Sequence, residues 1–111
     1  MNSKQKGNRG EREFAELCRA NGFDASRNPQ YGYGGVDNPD VRGLEGIHIE
    51  VKRTEKLNIH TAMQQAIQDA GAAAVPIVAH RRNGAPWLIT MQADDWFSLY
   101  KGSRNADNTR T

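Results

Sequence analysis

The heptapeptide Ile47-His48-Ile49-Glu50-Val51-Lys52-Arg53 constrains this chain more than any other stretch. Aliphatic residues hold positions 47, 49 and 51, and His, Glu and Lys alternate with them. Period two is the signature of a β-strand. It sends the aliphatics to one face and His48, Glu50 and Lys52 to the other. The apolar face demands a core, while a carboxylate and an ammonium stand side by side on the reverse. Asp40 follows Asn38-Pro39, with nine residues between it and Glu50, and falls on or beside a neighbouring strand. Two carboxylates and a lysine on a rigid sheet can hold a hard divalent cation and a water beside a phosphate.

The remaining chain supplies the frame for that strand. Helical spacing predicts a first helix over residues 9–21, stopped at Gly22. Glu11, Phe14, Ala15 and Cys18 share one of its faces, so an acid stands in line with the buried stripe. The helix macrodipole alone also favours an acid there, so Glu11 gains meaning only beside an acidic site. Residues 23–27 read as a first strand, and Asn28-Pro29 as a break. In the glycine-tyrosine loop Gln30 to Gly35, Tyr31 and Tyr33 either stack on bases or occupy an ordinary surface loop. Residues 36–43 form a second strand region, and a turn at 44–46 returns the chain as the strand 47–53.

Asn58 is the predicted N-cap of a second helix, with Ile59, Ala62, Met63, Ala66, Ile67 and Ala70 as its apolar face. Residues 75–80 and 86–91 read as strands joined by Arg81-Arg82-Asn83-Gly84. Residues 94–100 read as a short helix anchored by Trp96, Phe97 and Tyr100, and residues 102–111 as a disordered tail. The order α-β-β-β-α-β-β-α predicts an α/β fold, a central mixed β-sheet flanked by helices, in one domain over residues 1–101.

Bulk properties exclude several classes. Cys18 is the single cysteine among 111 residues, so no internal disulfide can form and a reducing cytoplasm is expected. No run of about eighteen apolar residues predicts a membrane span. No His/Cys spacing suits zinc, and no phosphate-binding loop suggests ATP use. A net charge of +2 does not by itself imply nucleic acid. The basic residues Lys4, Lys6 and Arg9 precede the first acid, and Arg12 follows it. That distribution suits a polyanion, but charge alone favours a solvated basic tail.

Glu-x-Lys alone carries little information, since six glutamates and five lysines give about 0.3 chance occurrences in a chain of this length. Its context discriminates. An Asp follows Pro a hairpin's length upstream, and amphipathic helices stand before and after, the first with an acid on its inner face. With Pro39-Asp40 and Glu50-Val51-Lys52 in place, the chain resembles the PD-(D/E)xK nuclease superfamily. Its opening, Gly7-x-x-Gly10-Glu11-Arg12-Glu13-Phe14 through Gly22-Phe23, is similar to that of archaeal-type and phage Holliday junction resolvases. The resemblance covers roughly residues 6–100. It departs at the glycine-tyrosine loop and the polar C-terminal end, which bear on substrate choice and dimer geometry.

The resemblance implies a restriction-endonuclease-like core and Mg²⁺-dependent hydrolysis of branched DNA, with Mn²⁺ as a substitute ion. It implies metal binding by Asp40, Glu50 and the Val51 backbone carbonyl, and by Glu11 directly or through water. Lys52 would orient the attacking water and offset transition-state charge. Lys4, Lys6, Arg9, Arg12, Tyr31, Tyr33, Arg42 and Arg53 would contact DNA, in a phage- or prophage-encoded homodimer acting on four-way junctions in the host cytoplasm. His48 is expected at a solvent-facing strand end. The alternatives are a nuclease of this fold acting on flaps, single strands or a specific duplex sequence, and a non-catalytic nucleic-acid-binding module.

Overall fold

A computed structural model describes residues 3–28 and 39–108, with side chains over 8–28 and 39–104. The elements run α1 (Ser3–Ala20), β1 (Ser26–Arg27), β2 (Val41–Arg42), β3 (Ile47–Arg53), α2 (Ile59–Ala70), β4 (Val75–Arg81), β5 (Leu88–Met91) and α3 (Ala93–Asn108). The strands form one sheet in chain order. β3 and β4 are parallel, and the other three pairs are antiparallel, which gives the mixed sheet expected. A parallel pair needs a crossover connection, and α2 is that crossover.

The two helices cover opposite faces. Phe14, Ala15 and Cys18 of α1 pack on Val41, Ile49, Val51, Ile77 and Ala79. On the reverse, Ala62, Met63 and Ala66 of α2 pack on Val78. Gly10 permits the close approach of α1, because a Cβ there would stand 2.6 Å from Cβ of Arg53. β3, which carries the Glu-x-Lys sequence, is therefore a central strand buried on both sides.

The predicted strand 47–53 and the Asn58 cap are both present; Asn58 Oδ1 accepts from Thr61 N–H at 3.1 Å. Several element ends differ from expectation. α1 begins at Ser3, so the basic opening is helical and not a loose tail. It ends as predicted at Gly22, whose φ is +93°. The N–H of Gly22 bonds Arg19 O at 3.0 Å and that of Phe23 bonds Cys18 O at 3.1 Å, a Schellman cap. Phe23 is thereby committed to the cap, which is why β1 starts only at Ser26. β2 is confined to Val41–Arg42, and residues 36–38 lie outside the described residues. α3 runs to Asn108, through the segment expected to be a disordered tail; once a helix is nucleated each further residue adds a hydrogen bond, so polarity alone did not end it. Among the described residues no helix is long and apolar enough to cross a membrane.

Candidate active site

Asp40 sits at a break in the β2–β3 ladder. Val41 pairs with Ile49, and the Asp40 N–H also donates to the Ile49 carbonyl, at 2.9 Å. Two residues opposite one is a β-bulge, which re-aims a side chain. Here Asp40 Oδ2 accepts from the Val51 N–H at 2.8 Å. The backbone is clamped from the other side by Asn28, whose N–H donates to Asp40 O at 2.9 Å and whose Nδ2 donates to Pro39 O at 2.8 Å. Asn28 is buried; the sequence marked it only as a break.

Glu50 projects from β3 toward α2. His48 Nε2 lies 3.1 Å from Glu50 Oε1. Asp69 of α2 joins them, and one ligand atom from each of His48, Glu50 and Asp69 falls within 4.8 Å of the others. Gln65 Nε2 orients Asp69 by donating to its Oδ2 at 2.9 Å. His48 is 2% exposed, so the expectation of a solvent-facing histidine is corrected: α2 returns along the sheet and its last turn covers the start of β3.

Glu11 enters from the α1 side. It is buried, and its Oε2 accepts from Arg27 Nε at 3.0 Å, while Arg27 Nη2 donates to Asn8 Oδ1 at 2.8 Å. Lys52 lies partly buried on the Glu50 face of β3. Its ammonium acts to lower the pKa of both Asp40 and Glu50.

The electrostatics show an excess of buried negative charge. Burial, then the charge of Asp40 and the contact with Asp69, push the Glu50 carboxyl up to about 8. Burial also raises Asp40, against the opposing pull of the Val51 N–H and Lys52. Glu11 is raised by burial, against its bond to Arg27, and further by Asp40. Clustered carboxylates whose pKa values are all raised form a set that favours an added positive charge. Oxygen donors in this arrangement suit a hard divalent cation, so the residues fit such an ion. Asp40 shares a side-chain hydrogen bond with Glu50 and interacts electrostatically with Glu11. Among the described residues, the group of three that brings its ligand atoms within 4.8 Å of one another is His48, Glu50 and Asp69.

Over residues 2–111 the chain matches the model of the phage PDDEXK endonuclease family. It belongs to that family. The PDDEXK chain also shares its fold with Hjc, a Holliday junction resolvase from the archaeal hyperthermophile Archaeoglobus fulgidus. The identity is 27% with a TM-score of 0.60, over 77% of this chain and 76% of Hjc. No curated protein sequence matches it significantly. This PDDEXK protein is thus a metal-dependent endonuclease with a restriction-endonuclease-like sheet.

The basic residues divide by environment. Arg12 and Arg42 are exposed, and Arg9 is exposed with its Nε 3.1 Å from Glu13 Oε1. Lys4 and Lys6 lie on α1, their side chains outside the described set. Tyr31 and Tyr33 are also outside the described residues. Arg53 does not serve as expected. It is buried, with Nε 3.0 Å from Glu13 Oε2 and Nη1 2.7 Å from Asn83 Oδ1. Position 53 shares the face of Ile49 and Val51, under α1, so its guanidinium anchors that helix and is not offered to a phosphate. Asp69, Arg27 and Asn28 are the site residues that sequence reasoning missed.

Proposed function

We propose that this endonuclease is a Mg²⁺-dependent, structure-selective DNA nuclease acting on four-way junctions as a homodimer. The observation that carries the reading is the likeness to an archaeal junction resolvase over three quarters of both chains, and the bond from Val51 N–H to Asp40, on the strand of Glu50 and Lys52, supports it. Phage encoding and action in the cytoplasm of a bacterial host go with that reading.

Asp40 and Glu50 would hold the cation, with the Val51 carbonyl and Glu11 as further ligands. A cation held by these residues would supply Lewis-acid polarisation of the phosphodiester and a more acidic water. The chain's own residues supply the rest. Val51 N–H and Asn28 fix Asp40 before substrate arrives, so no reorganisation is needed. Lys52 Nζ orients the attacking water and hydrogen-bonds the phosphoryl oxygen as its charge grows. His48 and Asp69 hold the Glu50 carboxylate against β3. Arg12, Arg42, Arg9, Lys4 and Lys6 contact the DNA backbone, and Tyr31 and Tyr33 lie along it. The two-fold symmetry of a four-way junction calls for two symmetric nicks, which a two-fold dimer delivers.

The test is cleavage of a four-way junction in Mg²⁺ beside flap, single-stranded and linear duplex DNA. Preferential paired nicking of the junction, abolished in Asp40→Ala and Lys52→Ala, is expected. Equal cutting of linear duplex would remove the junction assignment, and unchanged cutting by both variants would remove the site.

A further inference from the structure

His48, Glu50 and Asp69 meet where two elements join. His48 and Glu50 stand two apart on β3 and so share a face, and Asp69 reaches them from the last turn of α2. The cleavage chemistry uses His48 and Asp69 only to hold Glu50, and it does not call for an imidazole. No zinc-type spacing marks the three in the sequence, because the third comes from a separate element.

Hydrogen bonding accounts for two of the three groups. His48 Nε2 and Glu50 Oε1, 3.1 Å apart, satisfy one another. A second carboxylate beside the first is a cost, because like charges away from water repel. Asp69 is nonetheless held there: Gln65 Nε2 donates to its Oδ2 at 2.9 Å, the kind of outer contact that orients a metal ligand. The last turn of α2 carries no basic residue to offset it. Lys52 lies further along β3, on the side of Glu50 away from His48.

The spacing suits coordination. Two ligands each about 2.1 Å from one ion stand roughly 3.0 Å apart at an octahedral right angle and roughly 3.4 Å apart at a tetrahedral angle. The 3.1 Å between His48 Nε2 and Glu50 Oε1 falls in that range, and Asp69 brings a third donor within 4.8 Å of both. The donor set also selects among ions. Mg²⁺ takes oxygen ligands, whereas imidazole nitrogen suits first-row transition ions. His48 and Glu50 are buried and Asp69 is half-buried, so an ion enters past Asp69 and keeps water on that side.

We propose that His48 Nε2 and one carboxylate oxygen each from Glu50 and Asp69 form a site for a first-row transition ion of the Zn²⁺ class, distinct from the oxygen ligands assigned above to Mg²⁺. The ion ties the last turn of α2 to β3, and it draws on Glu50, the carboxylate that Mg²⁺ also needs. Neither DNA nor cleavage enters this reading, which goes beyond the junction assignment.

Nuclear magnetic resonance of the metal-free full chain with ¹⁵N-labelled histidine, titrated with Zn²⁺ alone, tests the site. The Nε2 resonance of His48 is expected to move, while those of His60 and His80 stay and Mg²⁺ moves none of them. Calorimetry on Asp69→Asn is expected to show Zn²⁺ affinity reduced at least about 10-fold, the least that loss of a metal-supporting group costs, with unchanged far-UV circular dichroism to show the fold. Asp40→Asn is expected to bind Zn²⁺ as the wild type does. A His48 resonance unmoved with Zn²⁺ taken to about 1 mM, or a folded Asp69→Asn chain that binds Zn²⁺ as tightly as the wild type, would overturn the proposal. So would loss of Zn²⁺ binding in Asp40→Asn, which would place the ion at the Mg²⁺ ligands. A protein that fails to cut DNA in Mg²⁺ while Zn²⁺ still moves His48 would remove the nuclease reading and leave this site standing.

Discussion

Oδ2 of Asp40 accepts a hydrogen bond from the backbone N–H of Val51 at 2.8 Å, which ties Asp40 to the strand that carries Glu50 and Lys52. The bond spans eleven residues of chain and stands where a ladder bond would. Asp40→Asn keeps an oxygen to accept from Val51 but loses the charge. Cleavage is expected to fall at least about 100-fold, since several kcal/mol of metal-derived stabilisation go with the charge. Single-turnover cleavage and Mg²⁺ calorimetry, with a thermal melt to show an intact fold, check this.

Lys52 is expected to matter for chemistry and not for metal binding. Lys52→Met should slow cleavage about 10²–10³-fold, the range for loss of a positioned proton-handling group. Mn²⁺ affinity should hold or rise, because a positive charge leaves the site. A rate measured at saturating metal separates the two effects; a rate restored by extra metal would refute the role.

The raised Glu50 carboxyl makes a signed prediction for the metal-free protein. Between its ordinary 4.5 and about 8 the native state keeps a proton that the unfolded chain has released. Stability is therefore full below about pH 4.5 and falls as pH rises toward 8. Asp40 and Glu11, also raised, act in the same direction. In EDTA, Tm is expected to fall from pH 5 to pH 8, and Glu50→Gln to flatten that slope. Mg²⁺ should raise Tm more at pH 8 than at pH 6, because at the lower pH it competes with the proton. A Tm that climbs over this interval in EDTA would contradict the charge balance described.

Glu13 holds the helix that carries Glu11. Its carboxylate meets Arg9, Arg53 and Arg81 at 3.0–3.3 Å. Although burial acts to raise it, these guanidinium groups hold its pKa below the usual range. Glu13→Ala leaves the buried Arg53 without its main partner and is expected to cost about 3 kcal/mol. Urea denaturation measures the loss. Glu13→Gln, which can still accept from Arg53, should lose less.

Much of this was legible in the sequence. The alternation from Ile47 to Arg53 located the central strand, and Asn58 and Gly22 fixed two helix ends, because these signals are local. Asp40 and Glu50 could be paired because a hairpin is a short-range structure. Asp69 could not be found this way. Its place beside Glu50 depends on how α2 docks on β3, a long-range relation with no periodic signature. The one hint lay in Ala62, Ala66 and Ala70, small residues that let the helix approach the sheet closely enough for an adjacent acid to reach it. His48 and Arg53 misled for a related reason: alternation tells which face a side chain takes, but not what later covers that face. Arg27 and Asn28 sat in a segment that reads as a break, and their bonds to Glu11 and Pro39 arise only once β1 is laid against β2.

The bulge at Asp40 has a consequence for the making of the protein. The acid points correctly only when β2 is paired with β3, when Asn28 has closed on Pro39, and when α2 has brought Asp69 over Glu50. A nascent chain that has emerged only as far as Lys52 holds Asp40, Glu50 and Lys52 but not Asp69, so Glu50 still lacks the neighbour that α2 brings to it. The acidic cluster around Glu50 is therefore complete only after α2 has been made and docked on the sheet.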